Sequence, residues 1–179
     1  MQLNLKLNAR FQPKHRFELE DALQEILQKR QMGEITGGGT ALAPDGEITG
    51  CDIEIRLDSE EAAALEWLIG LLNAIGIAKG SFLQGAGKDI PVGTLEGAGI
   101  YLNGTDLPKE IYQENDVNEL IAQLEKAVEG VGRMYSYREL SAYTALYFYG
   151  SSFAKMTACM RPILNTHPLC QQCRLEQIA

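Results

Sequence analysis

An internal duplication constrains the fold of this chain more strongly than any other feature of its sequence. Residues 33–84 and 132–178 follow the same order, in which a hairpin leads to an amphipathic helix and then to a short final strand. A shift of 92 residues places the strand at 52–59 over residues 144–151 and aligns apolar helix positions in both halves. The halves match in pattern and barely in identity, so the duplication predicts a fold and no reaction chemistry.

The first half predicts the order βαββαβ. Residues 2–9 alternate between leucine and polar side chains, as a half-buried strand requires. Strands over 34–43 and 47–57 join at a Pro-Asp-Gly turn, and the next helix has Ser59 as its expected N-cap and ends at Gly76. A strand over 81–84 completes the half. The helix before the hairpin is expected to bury an apolar face that consists of Phe17, Leu19, Leu23, Ile26 and Leu27.

The second half repeats this order after a glycine-rich segment. Residues 85–98 hold Pro91 and several glycines, a composition that disfavours helix and strand, so we predict a junction there. We therefore predict an α+β protein of two tandem ferredoxin-like (βαββαβ) repeats with antiparallel sheets, at 1–84 and 99–179, forming one compact unit. Residues 145–149 of the strand at 143–149 are apolar or aromatic on both faces and need cover from the first repeat or from a partner.

The net charge and its distribution indicate which class of macromolecule the protein could bind. The net charge is −8, which disfavours nucleic acid because binding to nucleic acid depends on lysine and arginine neutralising phosphates. Residues 45–66 hold eight acids and one arginine, and the alternative to a functional role is a solvated surface. The prediction is that a basic protein partner is attracted by five of these acids: Asp52, Glu54, Asp58, Glu60 and Glu61.

Localisation follows from what the sequence lacks. No apolar run approaches the roughly 20 residues of a membrane span, and residues 1–10 have no continuous apolar stretch of the signal-peptide type. We therefore expect a cytoplasmic protein without a membrane partner. Its oligomeric state is left open.

The tyrosines are clustered. All seven lie between Tyr101 and Tyr149, and tyrosine suits recognition surfaces because it offers a large contact area with a polar tip. Tyr135 and Tyr137 are expected to share one face of an edge hairpin and to contact the partner. The alternative is that tyrosine is simply common in strands.

Reaction chemistry finds little support in the sequence. His167, Cys170 and Cys173 offer three soft metal ligands, but a fourth is missing, and no helix follows the Cys-x-x-Cys as a thioredoxin-like redox role would need. Two histidines, neither beside a nucleophile, give no catalytic triad. The glycines at 37–39 favour a β-bulge over an anion site. We expect no enzyme, no catalytic residue, no metal and no cofactor.

Three short stretches resemble a family of small bacterial proteins. These stretches are Gly37-Gly-Gly-Thr40 through Gly46-Glu47-Ile48, Cys51-Asp-Ile-Glu-Ile55, and Pro168-Leu-Cys170 to Gln177-Ile-Ala179. They are similar to immunity proteins of polymorphic-toxin and contact-dependent inhibition systems. The resemblance implies a protein that binds and neutralises a cognate toxin domain, and it assigns no residue roles.

Two other functions remain open at this stage. One is a small-molecule sensor that binds its ligand in the cleft between the two repeats, which is a common place for a ligand. The other is an enzyme with carboxylate chemistry.

Overall fold

The computed structural model of this protein describes residues 1–85 and 87–179, and the chain divides into two compact units. Met1–Leu95 together with Ala179 forms the first unit, and Glu96–Ile178 forms the second. Each unit is α+β, with helices and one antiparallel sheet. The predicted fold class of two tandem ferredoxin-like units is therefore confirmed.

The first unit contains five strands and two helices among its described residues. They are β1 (Gln2–Leu7), α1 (Pro13–Arg30), β2 (Gly33–Leu42), β3 (Ile48–Leu57), α2 (Ala62–Ile75), β4 (Ser81–Gln84) and β5 (Ile90–Val92). The sheet order is β2-β3-β1-β4-β5, in which the first four strands have the ferredoxin-like order. Leu3, Leu5 and Leu7 are buried, as their alternation in β1 predicts.

The second unit repeats the arrangement. Its elements are β6 (Glu96–Asn103), α3 (Lys109–Glu114), α4 (Val117–Ala127), β7 (Gly132–Glu139), β8 (Tyr143–Gly150), α5 (Phe153–Thr166), a 3₁₀ turn (Pro168–Cys170) and β9 (Arg174–Gln177). The sheet order β7-β8-β6-β9 is again ferredoxin-like. Leu120 and Leu124 of α4 and Met156 of α5 join Leu146 and Phe148 of β8 in one core.

Strand β8 is buried on both faces, as its sequence predicts. Ala145 to Tyr149 are each at most 2% exposed. On the face away from the core, Tyr147 packs edge-to-face against Tyr101 with ring centroids 6.5 Å apart, and Tyr149 packs against Tyr135 at 5.6 Å. Aromatic side chains of the same unit therefore supply part of the apolar cover.

The structure corrects the predicted junction and the predicted N-cap of α2. Strand β5 lies inside the junction expected to hold neither helix nor strand, and it pairs with β4; Pro91 is accommodated because β5 is an edge strand. Helix α2 has Glu61 as its N-cap, not Ser59. The Ser59 hydroxyl instead accepts a hydrogen bond from the Glu61 backbone N–H at 3.1 Å, a local turn that delays the start of the helix.

Helix α1 is rotated relative to the predicted apolar face. Leu23 and Leu27 are fully buried as expected, but Phe17 is 50% exposed and Arg16 is 5% exposed. Arg16 lies seven residues before Leu23, so it shares the buried stripe, whereas Phe17 is displaced by about 100° around the helix. The guanidinium group of Arg16 pairs with the carboxylate of Glu20 beneath the sheet.

Candidate protein-binding surface

The five acids predicted to attract a partner all lie in the first unit. Asp52 and Glu54 project from β3 on the face away from the helices, because Ile53 and Ile55, which alternate with them along the strand, are fully buried. Asp52 is opposite Lys6 of β1 in the strand register, and Glu54 is opposite Asn4. Asp58, Glu60 and Glu61 follow in the connection to α2.

Two cations partly neutralise these acids. Lys6 Nζ lies 3.8 Å from Asp52 Oδ2, and Arg56 lies 3.0 Å from a carboxylate oxygen of Glu34 and 2.7 Å from one of Asp58. The hydrogen bond to Glu34 is the largest cause that raises the pKa of Arg56 above its ordinary value. Arg56 therefore remains charged at neutral pH, and the two cations together contact three of the carboxylates.

Three of the five predicted acids form no ion pair with any described residue. Within residues 1–85 and 87–179, Glu54, Glu60 and Glu61 are in no recorded salt bridge, and all three are exposed. We call six residues the acidic surface: Glu34, Asp52, Glu54, Asp58, Glu60 and Glu61. With Lys6 and Arg56 as the cations among them, the side chains of this surface are strongly negative.

Glu34 is the member of the acidic surface that sequence reasoning missed. It lies on β2 directly opposite Arg56 of β3. The predicted hairpin held the signal, because pairing the two strands from their ends places residue 34 beside residue 56. Glu34 is distant from the predicted acids in the sequence, and it lies next to them only because of the register in which β2 pairs with β3.

The glycines of β2 allow the carboxylates to lie flat on the sheet. A β-carbon at Gly37 would lie 3.3 Å from Glu54 Oε2, and one at Gly39 would lie 3.1 Å from Asp52 Oδ1. The register of β2 against β3 shifts between Ile35 and Gly37, so the β-bulge lies at Thr36, directly before the glycines where it was predicted. The carboxylates of Glu54 and Asp52 thus lie over the glycines, and their negative charge disfavours binding of an anion at this position.

The two predicted tyrosines lie in the second unit, on the edge strand β7. The prediction that they share a face was wrong. The register of β7 against β8 shifts between Met134 and Ser136, so Tyr135 is the extra residue of a bulge and the alternation of side chains is reset there. Tyr137 consequently packs against the core, and Tyr135 turns to the opposite face.

Tyr135 is held by aromatic and cationic neighbours. Its ring lies edge-to-face with that of Tyr149 at an interplanar angle of 87°, and the guanidinium carbon of Arg133 lies 4.2 Å from its centroid. Each contact of this kind contributes about 1 kcal/mol. Tyr135 is half-buried, so a partner that reaches this edge would meet a positioned ring.

The bulge predicts different effects for the two tyrosines. We expect Tyr137→Ala to destabilise the protein by about 2 kcal/mol, because it removes half-buried area from the core. We expect Tyr135→Ala to cost about 1 kcal/mol and to weaken partner binding more than stability. Urea denaturation and a binding titration on both variants check this, and equal loss of stability would contradict the assignment of faces.

The cysteines and histidines form no metal-binding group of three among the described residues. Cys51 is buried in the first unit, where its thiol contacts the backbone oxygen of Phe11 at 3.3 Å, and burial raises its pKa. His167 caps the 3₁₀ turn, since its Nδ1 accepts a hydrogen bond from the Leu169 N–H at 3.2 Å. Cys170 and Cys173 lie close to each other in the second unit.

We expect the purified protein to contain no stoichiometric zinc and to keep its melting temperature in chelator. Two adjacent thiols and a histidine that already accepts a hydrogen bond leave a zinc site open. Elemental analysis and a thermal melt with EDTA test this. One zinc per chain would contradict it.

Membrane insertion through a helix has no support in the described residues, none of whose helices combines the necessary length with the necessary hydropathy.

The chain was compared with protein-family models, with curated proteins and with solved structures. No family model matches the chain, and no curated protein matches it. Two solved structures align over nearly the whole chain. The first two RRM domains of a yeast poly(U)-binding protein share 7% identity, with a TM-score of 0.28, over 100% of this chain and 99% of that one. An anthrone oxidase-like protein shares 11% identity, with a TM-score of 0.26, over 99% and 92%.

Proposed function

We propose that this chain is a non-enzymatic protein-binding module, and that it acts as an immunity protein that binds and neutralises a basic toxin domain. The observation that carries the proposal is the acidic surface of the first unit. Six carboxylates lie on one sheet face and the adjoining loop, and within residues 1–85 and 87–179 their salt bridges are made with Lys6 and Arg56. Such a surface attracts a basic protein and repels nucleic acid.

The position of the acids suits long-range attraction. An extended strand rises about 3.3 Å per residue, so Asp52 and Asp58, which are six residues apart, are separated by about 20 Å. This distance exceeds the Debye length of about 8 Å at physiological salt, so the charges act as a strip rather than as one point. A partner with basic side chains at a similar spacing would be oriented as well as attracted.

A genetic test addresses the toxin directly. The gene immediately upstream is expected to encode a large secreted protein with a basic C-terminal domain. Coexpression of that domain should stop growth in cells that lack this protein and permit growth in cells that contain it, with a stable complex on gel filtration. The proposal fails if the upstream gene encodes no such protein, or if the domain remains toxic in the presence of this protein.

Neutralising the predicted acids should slow association with that domain. The variant Asp52→Asn, Glu54→Gln, Asp58→Asn, Glu60→Gln and Glu61→Gln is expected to lower the association rate constant about tenfold at low salt and to flatten its salt dependence. The dissociation rate should change less. Stopped-flow fluorescence with a catalytically inactive toxin domain measures both rates.

A matched control separates a local effect from a change in net charge. Five exposed acids of the second unit can be changed to glutamine with the same change in charge: Glu110, Glu114, Glu119, Glu125 and Glu129. This control should retain most of the association rate. Equal slowing of the two variants would show that only net charge matters, and unchanged kinetics in both would remove the acidic surface from the mechanism.

A further inference from the structure

A pair of thiols in the second unit is left unused by the proposed function. Cys170 ends the 3₁₀ turn and is 4% exposed, whereas Cys173 is half-buried just before β9. Gln172 between them adopts a left-handed conformation, with φ at 58°, and the backbone N–H of Cys173 donates to the oxygen of Cys170 at 3.1 Å. This tight turn brings the two cysteines together, and both line the same cavity.

The two cysteines also line a cavity of about 400 Å³. Its other walls are Leu175 of β9 and three residues at the end of α5, namely Arg161, Leu164 and Asn165. These three lie on one face of the helix, because residues three and four positions apart are neighbours on its surface. The cavity therefore offers a guanidinium group and an amide together with the two thiols and the side chains of Leu164 and Leu175.

We infer that Cys170 and Cys173 form a redox-active dithiol that exchanges with a small, carboxylate-bearing disulfide of the glutathione type bound in this cavity. Arg161 suits a carboxylate of that disulfide, and Asn165 suits its peptide groups. An open cavity of this size admits one half of such a molecule. The inference is independent of the acidic surface, which lies in the other unit.

The exchange proceeds in two balanced steps. The Cys173 thiolate attacks one sulfur of the disulfide, forms a mixed disulfide and releases one small thiolate, which takes up a proton from water. Cys170 then loses its proton to solvent and attacks the sulfur of Cys173, and the second small thiolate leaves and is protonated. The net reaction oxidises the protein dithiol to a disulfide and reduces the small disulfide to two thiols.

The two cysteines divide these roles because their environments differ. The hydrogen bond from Cys170 is the largest cause that lowers the pKa of Cys173, to about 7. The same hydrogen bond, together with burial, raises the pKa of Cys170. Cys173 is thus the accessible thiolate that attacks first, and Cys170 is the buried thiol that resolves the intermediate. The neighbouring Cys170 thus lowers the pKa of Cys173, as a helix N-terminus does for the reactive cysteine of thioredoxin-like sites.

The experiment uses the full chain in mixtures of reduced and oxidised glutathione. After acid quenching and alkylation, mass spectrometry of peptides should show a disulfide between Cys170 and Cys173 with Cys51 and Cys159 still alkylated. Cys159 is exposed and serves as an internal control for nonspecific oxidation. Glutathione attached equally to Cys159 and Cys173, without the internal disulfide, would overturn the inference.

Two cysteine variants test the division of roles. Cys170→Ala should accumulate one glutathione adduct on Cys173, and its rate of alkylation against pH should show an inflection moved upward from about 7, because the donor of the hydrogen bond is gone. Cys173→Ala should leave Cys170 about tenfold less reactive. An inflection that stays in place, or a reactive Cys170, would refute the assignment.

A change at Arg161 tests the cavity apart from the thiols. Arg161→Gln should slow oxidation by glutathione disulfide about fivefold while leaving oxidation by the uncharged hydroxyethyl disulfide unchanged. Equal slowing with both reagents, or none with either, would show that the cavity does not recognise the carboxylate.

Discussion

Replacing Arg16 with methionine is expected to lower the free energy of unfolding of the first unit by about 3 kcal/mol at pH 7. The side chains of Arg16 and Glu20 are 6% and 13% exposed, so the substitution leaves a carboxylate buried without its counter-ion. Methionine fills much of the volume of arginine. The loss of unfolding free energy therefore reflects mainly the missing positive charge beside Glu20. Urea denaturation measures it.

The pH dependence identifies Glu20 as the source of the loss. Its pKa is raised in the folded protein, chiefly because burial disfavours the charged form, and Arg16 opposes that rise. A group with a raised folded pKa stabilises the fold fully at low pH and loses that contribution as the pH rises through the folded pKa. Without Arg16 the pKa rises further, so the deficit of Arg16→Met should shrink between pH 7 and about pH 4.5.

The same helix provides a control. Lys29 and Glu25 have the same spacing, but their side chains are 72% and 65% exposed, so Lys29→Met should cost less than about 1 kcal/mol at either pH. A double variant, Arg16→Met with Glu20→Leu, should recover most of the stability that Arg16→Met loses. A deficit independent of pH, or no recovery in the double variant, would contradict a charge-based origin.

The fold was predictable because alternation and helical spacing extend over many residues. The leucines of β1 mark one buried face, and the turn at Pro44-Asp45-Gly46 fixes the hairpin that follows. β4 was predicted with the bounds that the structure shows. These patterns depend on several residues each, so one exception does not change the outcome.

The wrong predictions depend on single residues. One extra residue in β7 places Tyr135 and Tyr137 on opposite faces, and no local composition indicates that bulge. In α1, the predicted buried face included Phe17 and left out Arg16, although Arg16 has the same spacing to Leu23 and Leu27 as a core residue would have. The five acids of the candidate site could be proposed from the sequence because the exposure of charged residues does not depend on how the strands pair. Glu34 could be added only once the pairing of β2 with β3 was known.

Gly38→Ala is expected to destabilise the sheet strongly, with a loss of about 3 kcal/mol. A β-carbon at this position would lie 2.3 Å from Glu20 Oε1, 2.5 Å from Arg16 Nη1 and 2.6 Å from the backbone oxygen of Asp52. The side chains can move, but the backbone of β3 cannot without disturbing the β2–β3 pairing. Thermal and urea unfolding of the variant measure the loss.

Two other glycines separate this packing effect from the general effect of adding a methyl group. Gly39→Ala meets only the flexible carboxylate of Asp52, at 3.1 Å, so it should change stability by less than about 1 kcal/mol. Gly70→Ala, in α2, meets no atom within 4 Å and should stabilise the helix by about 0.5–1 kcal/mol. If Gly38→Ala behaves like Gly39→Ala, the buried pair of Arg16 and Glu20 does not pack against the strand as described. If it is severe even when Arg16 and Glu20 are both replaced by alanine, the backbone of Asp52 sets the limit, and the pair only occupies the space that the glycine leaves open.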